Sequence, residues 1–127
     1  MVTENVDKGS LFDLLHSGET QQRLPRDTIM KVAKQIANAL YYLRMQGYTH
    51  CDLQSKHILL TKDLTVKLTG FSYVQHDSEG PAKFDVEAER ACWMAPEVLR
   101  GQDYLPASDM YSFGVLLWEM LTGQIPY

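Results

Sequence analysis

Cysteine is scarce in this chain of 127 residues, which holds only Cys51 and Cys92. Two are too few for a disulfide scaffold, and a reducing compartment is the natural setting. An excess of positive charge is missing as well. Twelve Lys and Arg stand against sixteen Asp and Glu, a net charge of -4, so nucleic acid and anionic membrane surfaces find no electrostatic footprint. Apolar runs such as Val115 to Trp118 fall far short of the ~20 residues that cross a bilayer. The N-terminus has no basic-then-apolar leader, because Glu4, Asp7 and Lys8 fall where its apolar core would sit. Internal repeats and low-complexity segments are also absent. These absences read as a cytoplasmic protein, or the cytoplasmic part of a larger one. What remains, 45% hydrophobic and 22% charged, is the composition of one globular domain. Folding a chain of this length buries roughly two thirds of its extended surface.

The pattern predicts a mainly α chain with a small β-hairpin. Residues 1–6 read as the end of a strand running into a turn at Asp7-Lys8-Gly9. Ser10 and Asp13 have capping-box spacing before a short helix whose apolar face is Leu11, Leu14 and Leu15. Residues 17–26 read as a polar loop. Asp27 is the expected N-cap of a helix over 28–46, in which Ile29, Ala33, Ile36, Leu40 and Leu43 recur every three or four residues and Gly47 closes the run. Residues 57–61 and 65–69, joined by a Lys-Asp turn, predict a hairpin. Residues 70–92 have no period and read as one long loop, of a length more often functional than idle. One or two helical turns are expected over 95–100. Ser108 is the expected cap of a last helix over 109–121, apolar nearly all round and so in need of surrounding protein.

The chemistry concentrates in His50-Cys-Asp-Leu-Gln-Ser-Lys-His57, which sets a carboxylate, two imidazoles, a thiol and an amine between a helix and the hairpin. Asp52 is a candidate general base for a hydroxyl brought within hydrogen-bond reach, with Lys56 holding an anionic leaving fragment. The plainer role for Asp52 is to accept backbone N–H bonds in a tight turn. His50, Cys51, His57 and Cys92 are all zinc-ligand types. However, adjacent His50 and Cys51 point apart, and no Cys-x-x-Cys spacing supports such a site. Ser72, Tyr73 and Ser78 read as solvated loop hydroxyls rather than phosphorylation sites.

His50-Cys-Asp-Leu-x-x-x-His57 resembles the protein-kinase catalytic loop His-Arg-Asp-Leu-x-x-x-Asn with two substitutions. Further matches follow in order. Gly70-Phe71-Ser72 stands eighteen residues beyond Asp52, where kinases have Asp-Phe-Gly. Trp93-Met-Ala-Pro-Glu97 contains the Ala-Pro-Glu signature, and Ser108-Asp-Met-Tyr-Ser-Phe-Gly114 resembles the helix F motif. Val2-Thr-Glu-Asn-Val6 and Lys8-Gly-Ser-Leu11 are similar to a kinase hinge and helix D. The wording is closest to the tyrosine kinases and tyrosine-kinase-like kinases. Gln54 and Cys92 replace the residues that mark hydroxyl choice, so the substrate side chain stays open.

The resemblance implies a partial kinase C-terminal lobe, α+β in class, with Asp52 as the aspartate that accepts the hydroxyl proton. Thr3 would be the gatekeeper, Glu4 and Val6 would offer backbone groups to adenine, and Leu59 would floor the adenine pocket. His50 and Phe71 would stack in a spine anchored on Asp109. Glu97 would pair with an Arg of a later helix, and without it would be an unpaired carboxylate. The departures fall on the metal site, because Gly70 and His57 stand where the family places both magnesium ligands. Magnesium wants oxygen ligands, and an imidazole suits zinc or copper better. The resemblance therefore leaves ATP binding open and argues against Mg2+. Cys51 removes the Arg that pairs with a phosphorylated activation loop.

Measured against the family, residues 1–127 run from the hinge through helix F. The N-terminal lobe and helices G to I are expected to be absent. The expectation is a non-catalytic, pseudokinase-like binding or scaffolding module in signalling that works with a protein partner. The rival is a true kinase, present here as a fragment, that passes the ATP γ-phosphate to protein hydroxyls.

Overall fold

The architecture is organised by α2 (Arg26–Met45), whose buried Ile29, Val32, Ala33, Ile36 and Leu40 share one stripe at helical spacing. Leu116 and Met120 of α5 (Pro106–Thr122) join the same apolar core. A computed structural model describes residues 9–16, 24–80 and 88–126, with Ala88 and Glu89 by backbone alone. The hinge reading of 1–6 and the loop reading of 17–23 therefore lie outside the described residues.

The short helix α1 (Leu11–His16) forms as its sequence predicts. Ser10 Oγ accepts the Asp13 N–H at 3.1 Å, and Asp13 Oδ2 accepts the Ser10 N–H at 3.4 Å. Its Leu11 and Leu15 are buried, and the helix packs on the turn Ser55–His57 and on the first strand of the hairpin. In α2 the start differs from expectation. Pro25 stays extended, with φ -57° and ψ 148°, and its carbonyl accepts the Ile29 N–H at 3.0 Å. The helix thus begins at Arg26, and Asp27 sits inside the first turn, where a carboxylate complements the helix dipole.

Strands β2 (Ile58–Leu60) and β3 (Val66–Leu68) pair antiparallel in the register Ile58 with Leu68 and Leu60 with Val66. Gln35 of α2 holds the hairpin in place. Its Nε2 donates to the Leu64 carbonyl at 2.8 Å, and its Oε1 accepts the Val66 N–H at 2.9 Å.

Residues 70–92 are not one loop. A 3₁₀ turn over Phe71–Tyr73 leads into β4 (Gln75–His76), which pairs antiparallel with β1 (Tyr48–Thr49). A second 3₁₀ turn, Asp77–Glu79, follows, and the helical turn α3 (Ala88–Ala91) lies just before Trp93. Strands of two residues carry no readable period, so sequence pattern alone does not find them.

Helix α4 (Pro96–Leu99) is the short turn expected there. α5 begins at Pro106, ahead of expectation. Ser108 lies in its first turn, where Oγ accepts the Leu105 N–H at 3.2 Å. α5 also buries Ser108, Asp109, Ser112 and Glu119, while Met110, Trp118 and Leu121 are exposed. The fold is thus mainly α with small antiparallel sheets, the hairpin as expected and the β1–β4 pair in addition.

Candidate active site

The turn at residues 50–52 hangs from one buried carboxylate. Asp109 Oδ2 accepts the His50 N–H at 2.8 Å, and Oδ1 accepts the Cys51 N–H at 3.1 Å and the Tyr104 hydroxyl at 2.8 Å. Burial and the Asp109 charge push the Tyr104 pKa up, which keeps its hydroxyl a donor. Cys51 takes φ 71°, a left-handed conformation that costs a side-chain-bearing residue about 1–3 kcal/mol. Hydrogen bonds to a charged acceptor, worth about 1.5–3 kcal/mol each, offset that strain.

His50 is fully buried and uses both ring nitrogens. Nε2 donates to the Thr69 carbonyl at 2.7 Å, and Nδ1 accepts the Asp52 N–H at 3.1 Å. Burial lowers its pKa and favours this neutral tautomer. With both nitrogens engaged, His50 cannot serve as a zinc ligand. Its ring lies 5.1 Å from that of Phe71, so the structure brings together His50, Phe71 and Asp109, the three residues of the implied spine. Cys51 Sγ is buried, and desolvation raises its pKa to about 12, the state of an inert thiol.

Asp52 faces a partner that sequence reasoning missed. Arg90, on α3, donates from Nε to Asp52 Oδ1 at 2.9 Å and from a terminal nitrogen to the Cys51 carbonyl at 2.8 Å. Its guanidinium lies 4.0 Å from the centre of the Tyr73 ring. Gln54 Nε2 adds a bond to Asp52 Oδ1 at 3.0 Å. Lys56 is elsewhere. Its ammonium sits over the Phe12 ring at 5.0 Å, away from the place where it is expected to hold an anionic leaving fragment.

The two substituted positions meet in space. His57 donates from Nδ1 to the Asp52 carbonyl at 2.7 Å, and its ring covers Gly70. A Cβ built on Gly70, whose φ is 77°, would lie 2.3 Å from both Cγ and Nδ1 of His57. No side chain fits at position 70 while His57 keeps this place. Among the described residues, no group of three or more His, Cys, Asp and Glu could hold a metal ion.

Leu59 is half-buried in β2 and bridges to Ser10. Thr3, Glu4 and Val6 lie outside the described residues. Glu97 is not unpaired, because the Ser108 hydroxyl donates to its Oε1 at 3.2 Å. A second buried acid as well connected as Asp109 was not foreseen. Glu119 is fully buried, with Oε2 accepting from His16 Nε2 and the Ser55 hydroxyl, each at 2.7 Å. Oε1 accepts from the Trp93 indole at 3.1 Å. Glu119 thereby joins α1, the catalytic loop and the segment before α4 to α5. The sequence signal for it was an acid inside the apolar second half of that helix.

A helical lobe in which a helix carboxylate suspends a His-x-Asp turn beside a β-hairpin defines a lobe of the protein-kinase kind. The model for the protein tyrosine and serine/threonine kinase family matches residues 1–127, and the chain belongs to that family. It is 36% identical over 99% of its length to a Dictyostelium discoideum protein named probable serine/threonine-protein kinase. It is 35% identical over its whole length to the mitogen-activated protein kinase kinase kinase zak-1 of Caenorhabditis elegans, and 34% to the serine/threonine-protein kinase STY46 of Arabidopsis thaliana. The chain spans only 13%, 18% and 22% of those three relatives.

Proposed function

We propose that this chain is the central part of a pseudokinase-type domain, a binding or scaffolding module that does not transfer phosphate. The observation that carries the reading is the packing of the His57 ring into the space that a side chain at position 70 would need. Phosphoryl transfer in this family rests on positioning and on charge neutralisation by metal held at those two positions. A glycine and a carbonyl-bound imidazole do not fit a hard cation that wants several oxygen ligands at short distance. The Arg90–Asp52 ion pair supports the same reading, because it engages one of the two carboxylate oxygens that could take a proton from a substrate hydroxyl.

The small share of each relative that the chain spans, and the exposed apolar side chains of α5, support the reading of a partial domain whose remaining helices cover that face. A cytoplasmic setting and a protein partner belong to the same proposal. The first rests on the composition and the second on the kinase family; no described helix is long and apolar enough to cross a membrane.

The test is radiolabelled phosphate transfer by the full-length protein with Mg-ATP and with Mn-ATP, to itself and to generic protein substrates. The expected result is no transfer above that of Asp52→Asn. Transfer that Asp52→Asn abolishes overturns the proposal. One further reading has specific support, since the relatives are named as kinases and Asp52 is retained. In it the parent is a true protein kinase acting on Ser, Thr or Tyr hydroxyls. It predicts ATP binding that depends on metal, whereas the pseudokinase reading predicts no binding or binding indifferent to metal. Thermal shift with ATP, with and without each cation, separates the two.

A further inference from the structure

Arg90 is 4% exposed, and its one guanidinium touches two separate stretches of chain besides its own. It reaches the Asp52 carboxylate, the Cys51 carbonyl and the face of Tyr73. Residues 51–52 are the catalytic turn and Tyr73 ends the 3₁₀ turn after Gly70. Arg90 itself lies on the segment leading to Trp93. The turn at 50–52 offers no cation of its own, because Cys51 is a buried neutral thiol. A phosphate added to the segment would find no positive side chain at position 51. The segment instead brings its own cation to the turn.

We infer that Arg90 is a positioning residue that clamps the activation segment onto the catalytic turn without any phosphate on that segment. The clamp draws on a charge-assisted hydrogen bond, a second bond to a backbone carbonyl and a cation–π contact, all sheltered from solvent. A planar fork suits this set of partners, and an ammonium cannot reproduce it. The inference goes beyond the proposed function, since it concerns how the segment is held and stands whether or not phosphate is transferred.

Cys51 reports on the clamp, because its thiol is 1% exposed and reacts only when the turn opens. The experiment measures thiol-labelling rates at Cys51 in the full-length protein by mass spectrometry, with amide exchange of α2 as the control for global unfolding. Arg90→Gln is expected to raise labelling roughly ten- to hundredfold, the ratio for losing one charge-assisted hydrogen bond, with α2 exchange unchanged. Arg90→Lys should fall between wild type and Arg90→Gln. Phosphatase treatment of the wild type should change nothing. Labelling of Arg90→Gln within twofold of wild type overturns the clamp, as does labelling that phosphatase accelerates. If Arg90→Gln also loosens α2, Asp52→Asn decides, because it removes the charge that Arg90 holds and keeps the size of the side chain. A rise of roughly two- to tenfold at Cys51 supports the clamp, and no rise overturns it.

Discussion

The catalytic segment is anchored tightly at one end and rebuilt at the other. At residues 50–52, Asp109 holds two backbone N–H groups, Arg90 holds the Cys51 carbonyl and the Asp52 carboxylate, and His50 closes a ring of bonds to Thr69. At the other end, the His57 ring packs into the space that a side chain at position 70 would need. The bonds that hold the turn and the packing of His57 on Gly70 are thus largely separate features of the same fold. The scaffold that shapes the loop draws its stability from α5 and α3. His57 and Gly70 lie outside that Asp109 and Arg90 network and touch it only through the Asp52 carbonyl.

The largest effect should come from breaking the anchored end. Asp109→Ala leaves the His50 and Cys51 N–H groups and the Tyr104 hydroxyl buried without their acceptor. The expected loss is about 3–5 kcal/mol of folding stability, measured by denaturant unfolding.

Changing the rebuilt end should cost less, and in a telling pattern. Gly70→Asp places a side chain against the His57 ring at a positive φ, for an expected loss of about 2–3 kcal/mol. Adding His57→Asn should return at least about 1 kcal/mol, read as a coupling in a double-mutant cycle. Additive costs would mean that the two positions are independent and that the steric reading is wrong.

Acid sharpens the comparison further. Burial holds the His50 pKa below its ordinary value of 6.5, so the unfolded chain binds the proton more readily. The stabilisation is complete above pH 6.5 and is lost as pH falls toward the folded value. The slope is at most about 1.4 kcal/mol per pH unit. Thermal melts between pH 8 and pH 5 should show this decline, and His50→Gln should flatten that part of the profile.

The smallest effect is expected away from both ends. Arg44 and Asp77 pair on the surface, where each raises or lowers the other's pKa in the expected sense. Water and salt screen such pairs, and Asp77→Ala should leave the melting temperature unmoved at moderate salt.

Much of this was legible in the order of residues. Helix α2 announces itself through Ile29, Ala33, Ile36 and Leu40, α1 through its Ser10–Asp13 box, and the hairpin through a change of period. The motif series from His50 to Gly114 identifies the family and names Asp52, His57, Gly70 and Asp109 before any coordinate is known. The boundary errors at Pro25 and Pro106 have one cause. In each case a proline beside the first turn set the helix start, and a polar residue inside that turn resembled a cap.

The sequence alone therefore determined the family, the main helices and which residue types stand at positions 57 and 70. Each of these depends on local spacing or on residue type. Only the tertiary structure decided that Arg90 meets Asp52 across 38 residues and that His16 meets Glu119 across 103. It also decided that β1 pairs with β4, and that the His57 ring takes the place of a side chain at 70. Such contacts join residues far apart in the chain, and neither periodicity nor propensity encodes them. They arise from how α3 and α5 pack around the catalytic turn, where burial turns each polar group into a demand for one particular partner.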